Sequence, residues 1–162
     1  MARVERRLPD GSLDHPDLPF KPPLPFAAAV AAGLAVHHWG GVPLAPAALR
    51  PVGVTLLALS AALALWSLVT FRAHRTPVEP WKATKVIVDD GPYGHTRNPI
   101  YIGFALLQLG VGFATGRWVV CALVVVPALL IVAVVVPREE RYLKRKFGAA
   151  YEAYCARVRR WV

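Results

Sequence analysis

Residues 51–71 read PVGVTLLALSAALALWSLVTF, an apolar run without a single charge. Its length is what a helix needs to cross a bilayer core, about 17–25 residues. Three further stretches share that character. They are LPFAAAVAAGLAVHHWGGV over 24–42, PIYIGFALLQLGVGFAT over 99–115 and WVVCALVVVPALLIVAVVV over 118–136. The pattern predicts an all-α integral membrane protein, a bundle of four transmembrane helices followed by a C-terminal amphipathic helix. Residues 1–23, with five prolines, read as a polar irregular arm, and 24–162 as a single membrane domain. A cleaved leader fits poorly, because the arm is long and contains acids where a compact basic segment would stand.

Bulk composition agrees. The chain has 162 residues, 56% of them hydrophobic, and a formal net charge of +9; its mean hydropathy is +0.42. A nucleic-acid binder would share the charge but not the apolar runs, and no finger, helix-turn-helix or RNP signature is present. The expected partners are therefore the lipid bilayer and a lipophilic or amphipathic small molecule, with no nucleic acid and no obligate protein partner. Cys121 and Cys155 stand too far apart in character to suggest a disulfide, and no metal-ligand spacing occurs.

Charge placement predicts orientation. Of the 19 lysines and arginines, all but Arg50 and Arg117 fall in the arm, the 72–98 loop or the tail from 137. Cytoplasmic loops carry that excess, so both termini are expected in the cytoplasm. Pro127 predicts a kink in the fourth span. In the tail, Leu143, Phe147, Tyr151, Tyr154, Val158 and Trp161 recur at steps of three or four, predicting one helix over 138–160 that lies along the membrane surface.

Two polar features break this apolar plan. The first is GPYGHTRNPIYIG over 91–103. Asn98 is a good N-cap and Pro99 suits the first helical position, so the third helix starts here with its positive end toward the loop. Arg97 can grip a carboxylate, Tyr93 and Tyr101 can flank a ring, and Gly103 permits close approach. The second is Glu139-Glu140, just after the fourth span. Neighbouring helical residues diverge by about 100°, so one glutamate can face the bundle while the other meets tail cations. A cytoplasm-facing pocket for a zwitterionic, nucleotide-like ligand results. No P-loop or Rossmann fingerprint is present.

TPVEPWKATKVIVDDGPYGHTRNPIYIG, together with PREERYLKRKFGAAYEAYCARVRRW, resembles the isoprenylcysteine carboxyl methyltransferase-like group of membrane methyltransferases, a group related to the phospholipid methyltransferases. The resemblance covers about half the chain. It implies S-adenosylmethionine as cofactor, bound by Arg97, Asn98, Pro99, Tyr101, Gly103, Glu139 and Glu140, with Tyr93 beside them. It departs at Asn98, where the eukaryotic enzymes have histidine, and at Gly94, where an arginine is usual. The implied reaction is methyl transfer to a carboxyl, amine or thiol acceptor, and the implied location is a bacterial inner membrane. His95 is the nearest candidate base for an acceptor that must lose a proton, and Arg138 a candidate for orienting an acidic acceptor. The rival readings are an NADPH-dependent sterol-reductase-like enzyme and a non-catalytic lipid-binding scaffold.

Overall fold

The computed structural model describes residues 7–162. The first six residues of the arm, including Arg3 and Arg6, lie outside the described part. Seven α-helices follow in order: α1 (Pro23–Trp39), α2 (Arg50–Ala73), α3 (Pro99–Thr115), α4 (Trp118–Ala122), α5 (Val125–Leu130), α6 (Val136–Phe147) and α7 (Ala149–Arg157). No strand occurs among the described residues, only one isolated bridge between Arg7 and Leu13.

The expectation of an all-helical chain holds; that of four spans needs correction. Among the described residues, two helical stretches are long and apolar enough to cross a membrane, Ala47–Ala73 and Trp118–Phe147. The other two apolar helices, α1 and α3, have 17 residues each. At 1.5 Å per residue each covers about 26 Å, short of a bilayer core of about 30 Å.

α2 and α3 form the most extensive helix pair, and α1 packs across α3, α4 and α5. Glycine makes these contacts close. A Cβ on Gly53 would collide with the backbone of Ala114, and one on Gly110 would meet Leu57 at 2.9 Å. Gly33 likewise sits against Val120. Small residues at helix crossings let backbones approach, as expected for membrane bundles. At the far end, the Val119 N–H donates to His37 Nε2 at 3.4 Å, and Trp118 meets that ring edge-on.

The fourth apolar stretch is interrupted twice, each time ahead of a proline. α4 ends at Ala122, five residues before Pro127, which lies in the first turn of α5. A π-helical turn, Ile131–Val135, precedes Pro137. Proline lacks the N–H that would bond four residues back, so the ladder must loosen just upstream. The π turn inserts an extra residue and re-aims everything after it, including Glu139 and Glu140.

The tail also differs from the expected single surface helix. Helix α6 continues the fourth stretch to Phe147, then Gly148, with φ +51°, breaks it. This positive φ suits glycine. The chain then reverses into α7 and ends extended. The predicted apolar stripe exists, but it faces protein. Tyr151, Tyr154 and Val158 form a core with Ile87, Leu143 and Phe147, and Trp161 packs on a second core built around Phe26, Tyr101 and Ile131.

Candidate functional site

The turn Gly91–Gly94 leads into α3 and buries Tyr93 against Phe71. Burial, aided by the charge of Glu139, pushes the Tyr93 phenol well above its usual range, so it remains neutral. The Tyr154 hydroxyl donates to the Tyr93 carbonyl at 2.9 Å. Pro99 occupies the first helical position, as expected. Asn98 stands at the N-cap position, but its side chain does not cap the helix. Its Nδ2 instead donates to the Arg160 carbonyl at 2.9 Å. The Thr96 hydroxyl donates to the same carbonyl at 3.1 Å, and the Arg97 N–H donates to the Arg159 carbonyl at 2.9 Å. The tail thus competes successfully for the polar groups that a free helix start would use on itself. The backbone carbonyls of residues 159 and 160 find their donors there.

Opposite this seam, the two glutamates separate as their angular spacing predicts. Glu139 accepts a 2.5 Å hydrogen bond from the Tyr101 hydroxyl. Glu140 turns to the arginines. Arg160 holds it with two bonds, Nε to Oε1 at 3.0 Å and Nη2 to Oε2 at 2.6 Å. Arg97 reaches it with Nη1 alone, at 3.3 Å, and the same nitrogen touches the Cys155 sulfur. The Arg97 Nε is buried and has no hydrogen-bond partner among the described residues.

A cavity of about 350 Å³ lies between these elements, within the range of small-molecule sites. Tyr93, Arg97, Asn98, Tyr101 and Glu139 line it, so five of the expected site residues share one wall. The remaining lining is mostly apolar: Leu68 and Phe71 from α2, Phe104 from α3, Val86, Ile87 and Val88 from the loop, and Tyr151 and Tyr154 from α7. Pro99, Gly103 and Glu140 stand off this wall. Gly103 is buried, its carbonyl accepts from Ser60 at 2.8 Å, and a Cβ there would meet open space.

Neither candidate catalytic group reaches the cavity. His95 is exposed and lies 6.1 Å from the Trp66 ring. Arg138 is spent on its own helix, donating to the Val134 carbonyl at 3.0 Å. Sequence reading missed contributors in three places. Trp81 and the prolines Pro16 and Pro22 close one end of the cavity, and Lys21 stacks 5.2 Å over the Trp81 ring. Tyr142, fully buried, ties three segments together. Its hydroxyl donates to Asp14 and accepts from the Thr84 N–H at 3.1 Å. Arg160 is the third. Only the dense run of basic residues at the tail hinted at it.

The cluster unites two motifs that lie some forty residues apart in the chain. A family model described as phospholipid methyltransferase matches residues 49–150, well over half of the sequence. The chain belongs to the phospholipid methyltransferase family. Methyl transfer is the reaction class of this family, and the cavity sits where its matched segment folds back on itself. Among relatives, the protein-S-isoprenylcysteine O-methyltransferase of Schizosaccharomyces pombe is 33% identical over 73 residues. That alignment takes in 45% of this chain and 31% of the relative. No solved structure matches the chain. As a phospholipid methyltransferase family member, the protein keeps Arg97, Asn98, Tyr101, Glu139 and Glu140 inside the matched segment, whereas Tyr151, Tyr154 and Arg160 follow it.

Proposed function

We propose that the protein is an integral membrane methyltransferase that uses S-adenosylmethionine and methylates a small or lipid-like amphipathic acceptor. The observation that carries this reading is the cavity wall shared by Arg97, Tyr101 and Glu139, with the Arg97 Nε buried and unpartnered. An unpaired buried donor is costly, and a ligand carboxylate would satisfy it. Glu139 can accept from, or pair with, the cationic parts of the same ligand. The donor set therefore fits an amino-acid-bearing cofactor. When bound, that cofactor supplies a methyl group already activated by a positive sulfur. The protein's task is alignment, which can contribute about 7–11 kcal/mol.

The apolar remainder of the cavity suits the acyl or prenyl portion of an acceptor. A carboxyl acceptor needs no base; an amine or thiol would have to lose its proton elsewhere than to His95. In this reading the basic loop and tail face the cytoplasm, and both termini lie there.

Isothermal titration of the detergent-purified protein with S-adenosylhomocysteine tests the cofactor. Binding is expected, weakened at least about tenfold in Arg97→Ala and Glu139→Gln, each losing a charged partner. His95→Ala should bind like the parent. NADPH should not bind. Binding of NADPH with none of S-adenosylhomocysteine would overturn the proposal.

A further inference from the structure

The Arg97–Glu140–Arg160 cluster has more cation than anion, and the way its hydrogen bonds are shared is uneven. Both oxygens of Glu140 are taken by Arg160, through the planar fork geometry that arginine offers a carboxylate. Arg97 has only a long, single-nitrogen approach to the same carboxylate. Arg97 is the member that lines the cavity, and it is the member with an unpartnered buried nitrogen. Arg160 does not line the cavity at all.

We infer that Arg160 is a positioning residue: by occupying Glu140 it keeps the Arg97 guanidinium free for the carboxylate of the cofactor. The inference rests on the proposed cofactor reading and deepens it. Remove the Arg160 side chain and Arg97 is the cation left in contact with the half-buried Glu140. Glu140 would then draw Arg97 into the two-bonded arrangement that Arg160 now holds, and the site would lose the charge that grips the ligand. Arg160 is held for this task by its own backbone. Its carbonyl accepts from both Asn98 and Thr96, and the neighbouring Arg159 carbonyl accepts from the Arg97 N–H. Those bonds involve no Arg160 side-chain atom, so the seam survives a side-chain change. The extended end of the chain, anchored further by Trp161 in the core, thus carries a charge to a fixed place beside the helix start.

A structural role alone predicts something different, and a rescue experiment separates the two. S-adenosylhomocysteine is titrated calorimetrically into the parent, Arg160→Gln, Glu140→Gln and the double variant, each with a melting curve. Arg160→Gln should bind about tenfold more weakly, the worth of one charge-assisted hydrogen bond. Adding Glu140→Gln to it should restore binding to near the parent's, because Arg97 then has no competing carboxylate. Arg160→Lys, which keeps the charge without the fork, should fall between, with the same rescue; it carries the test if Arg160→Gln does not fold. Unchanged binding in Arg160→Gln overturns the inference. So does a loss that Glu140→Gln fails to restore, which would mean that Arg160 only supports the fold. If the parent itself does not bind S-adenosylhomocysteine, the cofactor reading fails first, and the two failures are distinguishable.

Discussion

The α2–α3 crossing and the seam between the α3 start and the tail are held together by opposite means. At the crossing, Gly53 and Gly110 remove side chains so that backbones touch, and no polar side-chain bond is needed until Ser60 meets the Gly103 carbonyl. At the seam, side chains and backbone carbonyls some sixty residues apart are stitched by hydrogen bonds from Thr96, Arg97 and Asn98. The difference follows from the surroundings. In an apolar medium dispersion and close fit are what remain to drive helix association. At a polar boundary, partnered donors and charges specify one arrangement among many. The first region sets how the helices stand; the second fixes the polar wall of the cavity.

The largest effect should come from breaking the crossing. Gly53→Ala places a Cβ against the Ala114 backbone, which no rotamer change can relieve. Destabilisation of about 3 kcal/mol or more is expected, read as a large drop in melting temperature in detergent. Gly103→Ala, whose Cβ would meet open space, sharpens the contrast. It should melt like the parent. Equal effects from the two glycines would mean that close helix approach is not what organises the bundle.

A smaller loss is expected where the polar region is tied to the arm. Tyr142→Phe removes the hydroxyl shared by Asp14 and the Thr84 N–H while keeping the ring. Two part-buried polar groups lose a partner, at a cost of about 1 kcal/mol. Proteolysis of the arm should quicken in the same variant. An unchanged melting curve and cleavage rate would show that the arm is held by its apolar contacts alone.

What was legible in the sequence divides along the same line. The helix starting at Pro99, the disruption near Pro127 and the angular split of Glu139 from Glu140 are local consequences of residue type, and local reasoning reached them. The tail shows the limit. Its apolar stripe was visible, but whether the stripe meets lipid or protein depends on Gly148 turning the chain back, and a single glycine in a helical pattern does not announce a reversal. The side chain of Asn98 went to the tail rather than to its own helix because the Arg160 carbonyl, some sixty residues away, reached it. Asp14 and Tyr142 have no local signature, and Arg160 no more than its place in a basic run; only the folded chain brings their partners near. The span count failed for a simpler reason: hydropathy marks an apolar run but not how much of it is helix, and α1 stops at Trp39 where the apolar run continues to Val42.

The smallest effects should come from ion pairs at the rim, and they test whether burial or charge alone gives the polar region its strength. Arg157 and Asp89 meet at 2.7 Å, but their side chains are 66% and 41% exposed. Lys146 and Asp14 pair with 18% and 14% exposure, and Lys146 also lies over the rings of Tyr142 and Phe147. A pair in water exchanges one set of partners for another, so Arg157→Ala should change stability by less than about 1 kcal/mol. It should also become indistinguishable from the parent at high salt. Lys146→Met keeps most of the packing but leaves Asp14 without its cation, and should cost more than Arg157→Ala with weaker dependence on salt. Melting curves of both variants at low and high ionic strength decide it. If Arg157→Ala proves the more damaging, charge at the exposed rim, rather than the less exposed stitching of arm, loop and tail, holds the polar end of the molecule.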